Sequence, residues 1–221
     1  MLHEMGHEWW GNKVTVADLA DFWIQEGICS YGEALYQLDK VGEEGYNKKV
    51  TEFRNRVQNK APVIPRRNAT SAEAYQGDIY SKGAYLMHSL RFILGDSIFF
   101  KTLKTFATDS AYTYKNMVST DDFIELITRM SGKDLSGFFQ MFLYTTTYPE
   151  IHVDKIDSMK YQISIPNIEF SLPMEIETSS GMTRENLNKI PLLVESTTQP
   201  LVDEKNWYLK SFPDKNSDNE E

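Results

Sequence analysis

The chain has 221 residues, 41% hydrophobic and 13% aromatic, enough for one large core or two small ones. Its formal net charge of −9 argues against nucleic acid and anionic membrane as partners. A single cysteine, Cys29, excludes an internal disulfide, and no stretch approaches the roughly 18 consecutive apolar residues of a membrane span.

Residues 1–148 carry helical periodicity. Leu2 to about Trp10 reads as a short helix stopped near Gly11-Asn12. A second helix carries Trp23, Glu26, Tyr31, Ala34 and Leu35 and runs to about Asp39. Tyr46 to Gln58 is polar and basic, the pattern of an exposed helix, and the prolines between Ala61 and Thr70 mark a loop. Tyr80 to Leu94 is strongly periodic, and Gly95-Asp96 ends it and opens another helix through Phe106. Ser119 and Asp122 form a capping signal for a helix to Met130, and Asp134 caps a last one that carries Phe138, Phe139 and Phe142. At Pro149 the period changes. Ile151 and Val153, then Tyr161, Ile163 and Ile165, then Phe170, Leu172, Met174 and Ile176 alternate with polar residues; Leu192–Val194 and Trp207–Leu209 add two short runs. The expected architecture is α+β: a mainly helical region over 1–148, a small antiparallel β-sandwich-like domain over 149–210, and a disordered acidic tail over 211–221.

The chemistry is concentrated in His3-Glu4-Met5-Gly6-His7 and, 18 residues further on, Glu26. On a helix, His3 and His7 project from one face, so two imidazole nitrogens can reach one zinc ion at about 2.0–2.1 Å. Glu4 beside them can accept a proton from an attacking water. Glu26, returning on a second helix, can be the third ligand. Three protein ligands leave one position open, the mark of a catalytic zinc site, with one zinc per chain. A lone His-Glu-x-x-His also occurs by chance on solvated helices, so the flanks decide. A ligand at the third residue, in a turn without earlier N–H partners, predicts a chain cut from a longer polypeptide just upstream.

Those flanks are specific. Trp9-Trp10-Gly11-Asn12 follows the second histidine, and Trp23-Ile24-Gln25-Glu26-Gly27 surrounds the third ligand. The stretch from His3 to Glu33 resembles the M1 family of zinc metallopeptidases, the gluzincin aminopeptidases that include leukotriene A4 hydrolase. His-Glu-Met-Gly-His-Glu-Trp-Trp-Gly-Asn is most similar to bacterial members of the Bacteroidetes type. The resemblance implies a zinc aminopeptidase that hydrolyses N-terminal peptide bonds of a peptide substrate. It implies a thermolysin-like helical catalytic domain followed by a small β-sandwich, with the family's N-terminal domains as missing partners. The family's Gly-x-Met-Glu-Asn segment, which grips the substrate amino group, is outside this chain. Asp78-Ile79-Tyr80-Ser81-Lys82-Gly83-Ala84 resembles a second family landmark and transfers the oxyanion-stabilising role to Tyr80, with Tyr75 and Tyr85 as nearby alternatives. Glu33, two turns after Glu26, takes from the resemblance the role of holding a zinc histidine in its tautomer; Asp21 has a weaker claim to the same.

Two other functions use the same residues. An M1-like epoxide hydrolase would share the zinc and differ in pocket shape. A non-catalytic peptide-binding module would show the loss of a ligand or of Glu4, and none is lost. The isolated chain is expected to be inactive because part of the cleft is missing. Trp9 and Trp10 are expected to pack the zinc helix into the core, His88 to bond locally, His152 to stand apart, and Arg66-Arg67 to form a solvated loop pair.

Overall fold

The computed structural model describes residues 1–213. The chain divides into two units, Met1–Thr146 and one that begins at Thr147. In the first, the helices are α1 (Leu2–Gly6), α2 (Trp23–Val41), α3 (Glu43–Arg56), α4 (Ser71–Ala74), α5 (Asp78–Leu94), α6 (Asp96–Thr108), α7 (Thr120–Ser131) and α8 (Ser136–Tyr144).

Helix α5 is the central element: nearly every residue from Asp78 to Leu94 is buried. It begins earlier than the periodicity suggested, because Asp78 anchors its first turn by accepting from the backbone N–H groups of Gln58 and Asn59. One turn later Lys82, fully buried, donates to Asn59 Oδ1 at 2.7 Å and to the Thr145 carbonyl at 3.0 Å. Helix α2 crosses α5 with backbone against backbone. A Cβ on Gly27 would meet Gly83 C and Cα at 2.9 Å, and one on Gly83 would meet Gly27 Cα at 3.0 Å. Only glycine at both positions allows that approach.

The rest of the core is aromatic. Phe106 and Phe123 pack with centroids 5.0 Å apart, and Trp23 meets Phe123 at 5.8 Å. Each such buried ring contributes about 1.5–3 kcal/mol. Trp23 Nε1 donates to Thr120 Oγ1, and Asp21 Oδ1 accepts from both the backbone N–H and the hydroxyl of Thr120. The start of α2 is thereby fastened to the start of α7, whose Ser119–Asp122 capping box forms as its sequence signals.

Several expected boundaries shift. Helix α1 stops at Gly6 rather than Trp10, because Gly11 (φ +144°) turns the chain back and Val14 N–H reaches the Trp9 carbonyl at 2.8 Å. Trp9 is 52% exposed, and Trp10, half-buried, stacks on Phe106 at 6.2 Å, so only one of the pair packs inward. Helix α3 starts at Glu43, and its supposedly exposed body buries Tyr46, Val50 and Phe53.

The second unit holds two three-stranded antiparallel sheets, so the α+β class holds. One sheet is ordered β1 (His152–Lys155), β2 (Lys160–Ser164), β5 (Leu192–Glu195); the other is β4 (Gly181–Leu187), β3 (Leu172–Thr178), β6 (Leu201–Val202). Strands β4 and β6 carry no legible alternation: six of the seven residues of β4 are exposed, the signature of a solvated edge strand. Trp207–Leu209 is not a strand. Asp203 accepts from the N–H groups of Trp207 and Tyr208, and the Tyr208 hydroxyl donates to the Pro173 carbonyl, which winds the run into a loop. The expected tail begins too early at 211, since Ser211 pairs with Glu150; residues 214–221 of it lie outside the described residues.

Candidate zinc centre

Helix α1 presents His3, its C-cap residue His7 follows one turn on, and α2 presents Glu26 in its first turn, where the helix N-terminus favours negative charge. His3 Nε2 lies 3.1 Å and His7 Nε2 3.4 Å from the same oxygen, Oε2, of Glu26. The three ligand atoms fall within 4.8 Å of one another. Among the described residues no other group of His, Cys, Asp or Glu side chains comes together in this way. Two bonds of about 2.0–2.1 Å at a tetrahedral angle separate their ligand atoms by about 3.3 Å. The two Nε2–Oε2 spacings match that value, and two nitrogens with one carboxylate are a donor set that zinc accepts.

The supporting contacts orient the rings. His7 Nδ1 is 2.9 Å from the Trp10 carbonyl, which can only accept, so Nδ1 is the donor of that bond and Nε2 is left facing Glu26. The Gly11 turn brings that carbonyl there, and the Asn12 N–H bonded to the His7 carbonyl at 2.9 Å holds it. On the other histidine, Ser30 Oγ lies 3.5 Å from His3 Nδ1. Beneath α1, Gly6 sits on Cys29, whose Sγ would lie 2.9 Å from a Cβ at Gly6 and is 3.5 Å from His7 Nδ1. Burial, reinforced by the charge of Glu26, pushes the Cys29 thiol up to about 12, so it stays protonated beside the site.

His3, Glu4, His7, Glu26, Tyr75 and Tyr80 line one open cleft of about 490 Å³. Glu4 is exposed on its wall. The Tyr80 ring lies 5.8 Å from that of His3, and its hydroxyl donates to the Tyr75 hydroxyl at 2.5 Å. Burial, then that bond, then the neighbouring Glu26 carboxylate hold the Tyr80 phenol above its ordinary range. Of the alternatives, Tyr75 is also at the cleft, whereas Tyr85 is buried in the core against His88 at 5.4 Å.

Two expected residues are elsewhere engaged. Glu33 lines the cleft, but its carboxylate pairs with Lys49 of α3 at 2.7 Å rather than with an imidazole. Asp21 is fully buried and bonds Thr120 and Arg67, whose Nη1 is 2.6 Å from Asp21 Oδ2. It fastens the start of α2, and Arg67 reaches it from a loop in which both Arg66 and Arg67 stay exposed, as expected. His88 bonds the Tyr46 hydroxyl at 2.8 Å, and His152 pairs with Glu150. The sequence reading missed Ser30, the Trp10 carbonyl and the Gly27–Gly83 crossing. Ser30 was findable as the residue one helical turn after Glu26; the glycines stand inside the two motifs already singled out.

Two imidazoles and a carboxylate thus face one point, with a second carboxylate and a phenol at the mouth of the cleft, a donor set able to hold one metal ion. Residues 1–142 match the family model "Peptidase family M1 domain", and the chain belongs to that family. Aminopeptidase N of Lactococcus lactis subsp. lactis is 31% identical over 172 residues, covering 70% of this chain and 19% of that protein. An M1 zinc metallopeptidase variant from Deinococcus radiodurans, solved bound to a Tyr-Ser-Ala substrate, is 29% identical with a TM-score of 0.57, covering 67% of this chain and 33% of that one. Legionella pneumophila aminopeptidase A, solved with aspartic acid, is 21% identical with a TM-score of 0.76 over 97% of this chain and 26% of its own, a likeness of fold. The chain spans about a fifth of the length of the curated relatives from L. lactis and Streptomyces lividans.

Proposed function

We propose that His3, His7 and Glu26 hold a zinc ion and that the protein carrying this chain is an aminopeptidase, hydrolysing the N-terminal bond of peptides. The observation that carries this reading is the single Glu26 oxygen facing both imidazole Nε2 atoms at 3.1 and 3.4 Å. Zinc held there would supply Lewis acidity and lower the pKa of its water toward neutrality. Glu4, exposed on the cleft wall, accepts the proton of the attacking water and returns it to the leaving amine. Tyr80 donates to the oxyanion of the tetrahedral intermediate. Its raised phenol keeps that proton near neutral pH. The substrate class is supported by the names of the relatives, which are aminopeptidases, and by the peptide bound to the D. radiodurans enzyme. In this reading the helical unit is the catalytic part and the β-unit a separate small domain.

The test is hydrolysis of an aminoacyl reporter by the full-length protein before and after zinc chelation. Activity lost on chelation and restored by zinc is expected. Chelator-insensitive turnover would reject the reading.

A further inference from the structure

We infer that Tyr75 is a positioning residue for Tyr80, acting through the bond between their two hydroxyls. The inference rests on the reading of Tyr80 as the oxyanion donor. A phenol has one proton to donate. In this structure Tyr80 donates it to Tyr75 at 2.5 Å, with the Glu26 carboxylate also beside the phenol. When an oxyanion forms in the cleft, the Tyr80 proton turns to it, and the Tyr75 hydroxyl can donate to the Tyr80 oxygen in its place. The outcome is a two-phenol chain in which the second O–H polarises the first, and such chains strengthen each member. No bond other than hydrogen bonds changes, so the exchange balances by itself.

Tyr75 is built to hold this position. It follows the short helix α4, where its N–H bonds the Ser71 carbonyl at 2.9 Å. That turn is closed by a Thr70–Glu73 capping box. Arg66 grips Glu73 with two nitrogens at 3.1 and 2.8 Å. The Thr70 N–H, followed by Arg66, holds the Glu73 carboxyl down at about 2. The next residue, Gln76, donates to the Pro62 carbonyl at 2.6 Å. The Tyr75 ring stands edge-on between Phe22 at 6.0 Å and Tyr80 at 6.0 Å, with interplanar angles of 78° and 84°. With all this support the residue is still 54% exposed, so its ring contributes little to the core.

The experiment is a kinetic double-mutant cycle in the full-length protein with Tyr75→Phe, Tyr80→Phe and the double variant. Phenylalanine keeps the ring and its packing, and removes only the hydroxyl. Tyr75→Phe should lower kcat about 3- to 10-fold, the worth of one neutral hydrogen bond, with KM within about twofold. In the Tyr80→Phe background the same change should cost nothing further. Unchanged or raised kcat for Tyr75→Phe would overturn the inference while leaving Tyr80 in its role. So would a loss confined to KM, or one of equal size in both backgrounds. Normal turnover in Tyr80→Phe would remove the oxyanion role from Tyr80, and the positioning role of Tyr75 with it.

Discussion

Glu26 and Tyr80 stand on α2 and α5, whose backbones meet at Gly27 and Gly83, whereas His3 and Glu4 stand on α1, none of whose five residues is buried, and His7 caps its C-terminal end. The first support is set by the core of the unit: a shift of one helix against the other would force backbone atoms together. The second is held by a few local contacts, namely Gly6 over Cys29, Ser30 near His3, and the Gly11 turn that returns the Trp10 carbonyl to His7. The difference separates two kinds of dependence. The Glu26 carboxylate and the Tyr80 phenol inherit their geometry from packing, the histidines from hydrogen bonds to the turn and the helix beneath them. Chemistry and stability should therefore respond to different substitutions.

The largest expected effect lies on α1 and concerns chemistry alone. Glu4→Gln in the full-length protein should cut peptide hydrolysis by about 10²–10⁴-fold, the usual worth of a positioned proton acceptor. Zinc content and thermal stability should not change, because in the proposed reading Glu4 is not a ligand, and its side chain is exposed. Steady-state kinetics with parallel metal analysis checks both halves. Tyr80→Phe, on α5, comes next: loss of one oxyanion donor costs about 2.7–4 kcal/mol, or roughly a hundred- to a thousandfold in turnover. The loss should fall on kcat, and a loss confined to KM would move the oxyanion to another donor.

The comparison itself is sharpened by three glycines. Gly27→Ala or Gly83→Ala places a methyl against backbone that cannot yield, and each should destabilise the chain by about 1–3 kcal/mol in denaturant unfolding. Gly6→Ala meets only the Cys29 thiol, which can rotate, and alanine favours helix by about 0.8–1.0 kcal/mol, so its net change should be about 1 kcal/mol or less. Equal costs at all three positions would erase the distinction between the supports. Smallest of all is Glu33→Gln. Its side chain, 31% exposed, pairs with Lys49, so stability should fall by about 0.2–1 kcal/mol at most and zinc affinity should stay as it is. A tenfold loss of zinc affinity would return Glu33 to the histidines.

Much of this was readable from residues in order. The four-residue spacing of His3 and His7 and the later Glu26 single out the three side chains that the fold brings within 4.8 Å of one another. The switch at Pro149 is local, since period 2 needs only the strand itself. What escaped depends on partners distant in sequence. Glu33 looks toward the zinc by spacing, yet Lys49 arrives from α3 and takes its carboxylate. Asp21 looks like a site residue, yet its partner Thr120 lies 99 positions away. Trp9 and Trp10 are adjacent and alike, and only the Gly11 turn sends one outward and the other onto Phe106. Strand β4 has no alternation to read, because an edge strand exposed on both faces has no burial to encode.

The central claim is that one ion sits between His3, His7 and Glu26, and anomalous X-ray diffraction at the zinc edge, on crystals of the zinc-loaded full-length protein, tests it most directly. The account predicts one peak, with His3 Nε2, His7 Nε2 and a Glu26 oxygen each about 2.0–2.2 Å away. A peak elsewhere, or an empty site with His3 and Glu26 still in direct contact, would contradict it.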